Sequence, residues 1–108
     1  MAITSYEIDN YRVYHYNQDN GYQQTAVINC YYDNAFKGSL YFYQEGASIP
    51  ASSKTSAGYL YLRFSGSQLG SILDTLRQEK PLYIGFNDTN LWGGLSTSNE
   101  PIGEEEGV

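Results

Sequence analysis

One cysteine and one histidine are all that this 108-residue chain offers of the most reactive side chains, and each scarcity closes a class of function. Cys30 has no second thiol to pair with, so there is no intramolecular disulfide framework. Nucleophilic catalysis needs a base beside a hydroxyl or thiol, usually a histidine, and His15 is the sole candidate. It shares an alternation with Val13, where a partly buried imidazole satisfied by a hydrogen bond is the expected role. One histidine, one cysteine and scattered carboxylates supply no spaced ligand set for a metal. Asp9, Asp19, Asp33 and Asp88 fall at expected bends or turns, where aspartate is ordinary rather than half of a hydrolytic pair. No catalytic residue, metal or cofactor is expected, and the chain reads as a non-enzyme.

Long apolar runs are missing too. Met1-Ala2-Ile3-Thr4 lacks the charged flank and apolar stretch of a secretory signal, and nothing later approaches a membrane span. A cytoplasmic protein without membrane association is the expectation. In that setting Asn87-Asp88-Thr89, which matches a glycosylation acceptor, reads as turn chemistry. Cys30, in phase with Ala26 and Ile28, reads as a small buried hydrophobe. Basic charge is sparse: six Lys and Arg against twelve Asp and Glu, for a net charge of −6. Glu100, Glu104, Glu105 and Glu106 crowd the last residues, leaving the body eight acids against the six bases. A single domain over residues 1–98 with an acidic, disordered tail at 99–108 follows.

Tyrosine is what the chain has in abundance, twelve in all. It alternates with aliphatic residues or phenylalanine in Val13-Tyr14-His15-Tyr16, Leu40-Tyr41-Phe42-Tyr43, Tyr59-Leu60-Tyr61-Leu62 and Leu82-Tyr83-Ile84. Side chains along a strand point to opposite faces with a period of two, so this pattern makes a sheet with one apolar face and one covered in phenols. Strands are expected over residues 4–16, bent near Asp9-Asn10, over 22–32, 38–45 and 58–65. Asn17–Gly21 and Asp33-Asn34 supply the turns between the first three. Residues 46–57, rich in small polar residues and proline, read as one long loop. Its Ser52–Ser56 core lacks the glycine spacing of a phosphate loop.

After residue 65 the period changes. Leu69, Ile72, Leu73 and Leu76 fall at i, i+3, i+4 and i+7, which predicts one helix with a single apolar stripe. Ser65 with Gln68 forms a potential capping box, Ser67 is a competing cap, and Pro81 blocks continuation. A hairpin of 82–86 and 91–97 closes the chain. Leu82, Ile84, Phe86, Leu91 and Leu95 are expected toward the helix, with Tyr83, Gly85, Trp92 and Gly94 away from it. The two outward glycines predict a shallow trough bordered by Tyr83 and Trp92. The expected class is α+β, a mainly antiparallel sheet of about six strands in the order ββββαββ with the helix on its apolar face.

The phenol face then asks for a partner. Contiguous exposed aromatic area is uncommon on soluble monomers and marks interfaces, and tyrosine, tryptophan and arginine are the residues of binding hot spots. The expected binding surface is Tyr41, Tyr43, Tyr59, Tyr61, Tyr83 and Trp92 with Arg63 as polar anchor. Its expected partner is another protein, most simply a second copy of the chain. The layout of four strands followed by a helix, over roughly residues 11–79, resembles the Whirly and transcriptional-coactivator single-strand binders. That likeness implies bases stacked on the aromatic face, although the balance of acids over bases disfavours nucleic acid. A small acidic domain without catalytic residues also resembles the orphan products of mobile gene cassettes and phages. That implies an inhibitor or decoy, with the trough holding a small nucleotide-like ligand.

Overall fold

The computed structural model describes residues 3–17 and 21–97. Residues 18–20 of the expected first turn and the expected tail at 99–108 lie outside them. The strands are β1 (Ile3–Ile8), β2 (Asn10–His15), β3 (Gln24–Tyr32), β4 (Ala35–Tyr43), β5 (Ser53–Lys54), β6 (Leu60–Ser65), β7 (Leu82–Asn87) and β8 (Trp92–Thr97), with one helix, α1 (Leu69–Gln78), between β6 and β7. The class is α+β, and every strand pairing is antiparallel except β4 with β6.

The strands do not form one sheet. They divide into a three-stranded sheet, β1-β7-β8, and a five-stranded sheet, β2-β3-β4-β6-β5. The division begins at the bend expected near Asp9, which is a full break: β1 pairs with β7, whereas β2 pairs with β3. Asp9 fixes the crossing point, its N–H donating to the Tyr31 carbonyl at 2.9 Å and its carboxylate accepting from the Asp33 N–H at 3.2 Å. Asp33 and Asn34, both at positive φ (51° and 66°), form the two-residue turn between β3 and β4. Paired positive φ matches the twist of the flanking strands, and Asp and Asn tolerate it. The long loop carries the short strand β5, which extends the large sheet beyond β6.

Gly38, Leu40 and Phe42 of β4 and the even-numbered residues of β6 and β7 point into a common core. Ile28, Leu40, Phe42, Leu60, Leu62 and Ile84 are fully buried, and they form one cluster with Leu73 and Leu76 of α1 and Leu82 and Phe86 of β7. The apolar face of the large sheet is therefore covered by the small sheet as well as by the helix, which was expected to cover it alone. Contact between the layers is close. A Cβ on Gly38 would meet the Leu60 carbonyl oxygen and the Ile84 Cδ1, and one on Gly93 would meet the Leu62 side chain.

Ser65 caps the helical segment. It accepts from the Ser67 N–H at 3.3 Å while its own N–H donates to Gln68 Oε1 at 3.0 Å, completing the capping box around a short 3₁₀ turn that leads into α1. In the final hairpin Leu91 is not a core residue. It sits at φ 62°, 47% exposed, where turn geometry overrides its hydrophobicity. Asn87 Oδ1 accepts from the Thr89 N–H at 2.9 Å, so the Asn-Asp-Thr triplet does serve as a turn.

Candidate functional site

Strand register lays the outward residues of the large sheet in rows. One row runs Tyr14, Val27, Tyr41, Arg63 across β2, β3, β4 and β6; the next runs Arg12, Asn29, Ser39, Tyr61. Tyr41 and Tyr61 meet edge to face with ring centroids 5.7 Å apart, and the Arg63 guanidinium lies 5.7 Å from the Tyr41 centroid. Arg12 stands 4.9 Å from the Tyr14 ring. Beneath them Ser39 Oγ donates to Asn29 Oδ1 at 2.7 Å, so the buried serine is satisfied. Cation and ring contacts of this kind contribute about 0.5–1 kcal/mol each at exposed sites, a bias of a few-fold toward this arrangement.

Arg63 is the most constrained member. Its Nη1 donates to the Ala51 carbonyl at 2.6 Å and to Ser53 Oγ at 3.3 Å, and its Nε to Tyr43 Oη at 3.2 Å. Its backbone N–H donates to Ser52 Oγ at 3.1 Å. The long loop is thus tied to the face through one side chain. Tyr43 departs from the surface expected of it. It is only 4% exposed, because Gln24 and Arg63 both donate to its hydroxyl and lie over it. It supports the face from below.

A second chain of rings continues the surface toward the β3–β4 turn. Tyr31, Phe36 and Tyr59 pack edge to face at 5.9 and 5.0 Å. Tyr59 was expected here; Tyr31 and Phe36 complete the chain. Phe36 escaped the binding set because the third strand was expected from residue 38, whereas β4 starts at Ala35 and a register shift brings Phe36 opposite Tyr31.

Tyr83 and Trp92 do not join this surface. They point outward from the small sheet, with the core between them and Tyr41, because the even positions of β7 face inward toward the large sheet. The expected single binding face is therefore two faces. On the second, Gly85 lies directly opposite Gly94, and a shallow depression of about 380 Å³ opens there. Its walls are Ile3 and Trp92; Tyr83 does not line it.

Burial pushes the Tyr41 phenol above its ordinary range, opposed by the hydrogen bond with Ser39 and the charge of Arg63. Cys30 is fully buried, and that burial pushes its thiol up to about 12, so it stays protonated and inert. His15 is exposed at the end of β2 rather than partly buried. Among the described residues no three His, Cys, Asp or Glu side chains are grouped to hold a metal, and no helix is long and apolar enough to cross a membrane.

Charge is segregated in the fold. None of β2, β3, β4, β5 and β6 contains an Asp or Glu, while they hold Arg12, Lys37, Lys54 and Arg63. The described acids occupy the small sheet, the turns and loops, and the helical segment. Comparison with family models, curated proteins and solved structures finds no match to this chain.

Proposed function

We propose that this chain is a non-catalytic binding protein whose outward large-sheet face is a protein interface. The observation that carries the reading is the contiguous set of Tyr14, Tyr41, Tyr61 and Tyr59 with Arg12 and Arg63 held among the rings. Tyrosine gives large contact area with few rotors to immobilise, and arginine joins it in hot spots. The simplest partner is a second copy related by a two-fold axis, its guanidinium groups stacking on the opposite tyrosines. Sedimentation at micromolar concentration tests this. A dimer is expected, weakened roughly 1,000-fold or more by Tyr41→Ser with Tyr61→Ser, since two hot-spot rings of about 2 kcal/mol each sum to about 4 kcal/mol. A wild-type monomer at those concentrations refutes self-association.

One observation favours a second reading, single-stranded nucleic acid stacked on the same rings. The outward face carries Arg12 and Arg63 with no acid on its strands, so it is locally cationic although the chain is acidic overall; Lys37 and Lys54 reach instead to Tyr6 and Thr4 of the small sheet. Aromatic platforms flanked by cations bind single strands in a salt-dependent way. Fluorescence anisotropy of a labelled oligothymidylate at low and moderate salt separates the readings. Binding at low salt that Arg12→Ala weakens supports nucleic acid; no binding at low salt ends that case.

A further inference from the structure

We infer that the depression on the small sheet is a binding site for an uncharged, planar heteroaromatic ring, stacked against Trp92 and lying over Gly85 and Gly94. The argument begins with what the two glycines are not needed for. A Cβ on Gly94 would meet nothing within 4 Å, and one on Gly85 would make only an ordinary 3.5 Å contact with the Thr4 carbonyl oxygen. Neither glycine has positive φ, so neither the backbone nor the packing demands glycine there. Gly93, one residue along, is different, since its Cβ would strike Leu62. Two glycines directly opposite each other weaken a sheet through lost side-chain packing and greater chain entropy. What the pair provides is a flat strip of bare backbone.

The surroundings specify what would lie on that strip. Trp92 and Ile3, 67% and 65% exposed, are large apolar side chains left in water on either side. Among the described residues no charged side chain lines the depression, whose polar members include the hydroxyls of Ser5 and Ser96. Apolar walls, a flat floor and neutral hydrogen-bonding groups match an uncharged ring with a polar edge. A volume of about 380 Å³ admits one ring system with a small substituent. It lies at the lower end of the roughly 300–1,000 Å³ of small-molecule sites.

Trp92 is the only tryptophan, so its emission reports directly on occupancy. Titration with adenosine and with caffeine, both uncharged, is expected to quench it saturably, whereas cyclohexanol leaves it unchanged. Gly94→Val builds out from an open Cβ position over the floor and is expected to abolish the quench while leaving the far-UV circular dichroism unchanged and Tm the same or higher. Gly94→Ala, the smaller step, is expected to weaken it if valine disturbs the edge strand. The Tyr41→Ser, Tyr61→Ser protein is expected to retain the quench in full, so this site stands or falls independently of the tyrosine face. Absence of saturation with both probes, or a quench unaltered by filling the floor, overturns the inference. So does an emission change that follows protein concentration rather than probe, which assigns the depression to a second copy.

Discussion

Gly38→Ala concentrates the geometry of the fold into one methyl group. Gly38 pairs with Leu60 across the parallel β4–β6 ladder, and the added Cβ would overlap the Leu60 carbonyl oxygen while lying 3.1 Å from Ile84 Cδ1 in the opposing sheet. The side-chain end of Ile84 can shift by a few tenths of an ångström. The carbonyl belongs to the ladder and moves only with the strand. Leu60 and Ile84 are fully buried, so neither can relieve the strain by turning out into solvent. Overpacking by a methyl typically costs 1–3 kcal/mol, and a backbone obstacle places this case near the top, about 3 kcal/mol. Against a total stability of roughly 5–15 kcal/mol that is a large fraction, and for a domain of this size it corresponds to a fall in Tm of roughly 12–24 °C. Gly94→Ala is the matched control. It meets nothing within 4 Å and is expected to be neutral or to gain up to about 1 kcal/mol by restricting the unfolded chain. Urea unfolding followed by far-UV circular dichroism is the suitable assay, because exposed Trp92 changes its surroundings little on unfolding. A Gly38→Ala protein within about 0.5 kcal/mol of wild type, or equal losses in both variants, would refute the close parallel β4–β6 pairing at Gly38 argued here.

Leu91→Gly is expected to raise stability by about 0.5–1 kcal/mol, because relief of the left-handed backbone at φ 62° outweighs glycine's chain entropy and the half-exposed side chain contributes little; a lower urea midpoint contradicts this. Cys30 is expected to resist Ellman's reagent at pH 8 in the native protein and to react fully once unfolded. Its thiol rises from 9.0 to about 12 on folding. Below the lower value both states are protonated and stability is unaffected. Between the two, the unfolded chain ionises while the folded one does not, so stability is lost as pH rises, with a slope approaching 1.4 kcal/mol per pH unit. Cys30→Ala is expected to flatten that part of the profile relative to wild type, and an identical slope in both proteins would show that the thiol titrates normally.

Much of this fold is legible in its residues, and the misreadings have physical causes. Parity placed Leu40, Phe42, Leu60, Leu62 and Ile84 inside, as found, because a strand with one buried face must alternate. Parity does not say which strands share a sheet. Leu40 and Phe42 of β4 and the even positions of β6 and β7 face inward whether the strands are coplanar or stacked on opposite sides of one core, and the pairing of β1 with β7 separates the cases. That is why Tyr83 and Trp92 were grouped with Tyr41 although they look the other way. Tyr43 sank because two donors, Gln24 and Arg63, converge on its hydroxyl from positions distant in sequence. Leu91 misled because a turn demanded its backbone shape, a constraint that hydrophobicity does not register. Asp9 marked a bend correctly, but its role as a switch between sheets depends on Tyr31 and Asp33, far along the chain.

The pairing of Ile3 with Asn87 also sets an order of assembly. During synthesis at about 5–20 residues per second, the first strand waits roughly 4–17 s for its partner to be made. Over the same interval β3 and β4, joined by a two-residue turn, can already zip together, since short loop closures take well under a millisecond. The β3–β4 hairpin can thus form early, whereas the small sheet with its glycine floor closes only once β7 and β8 have been made.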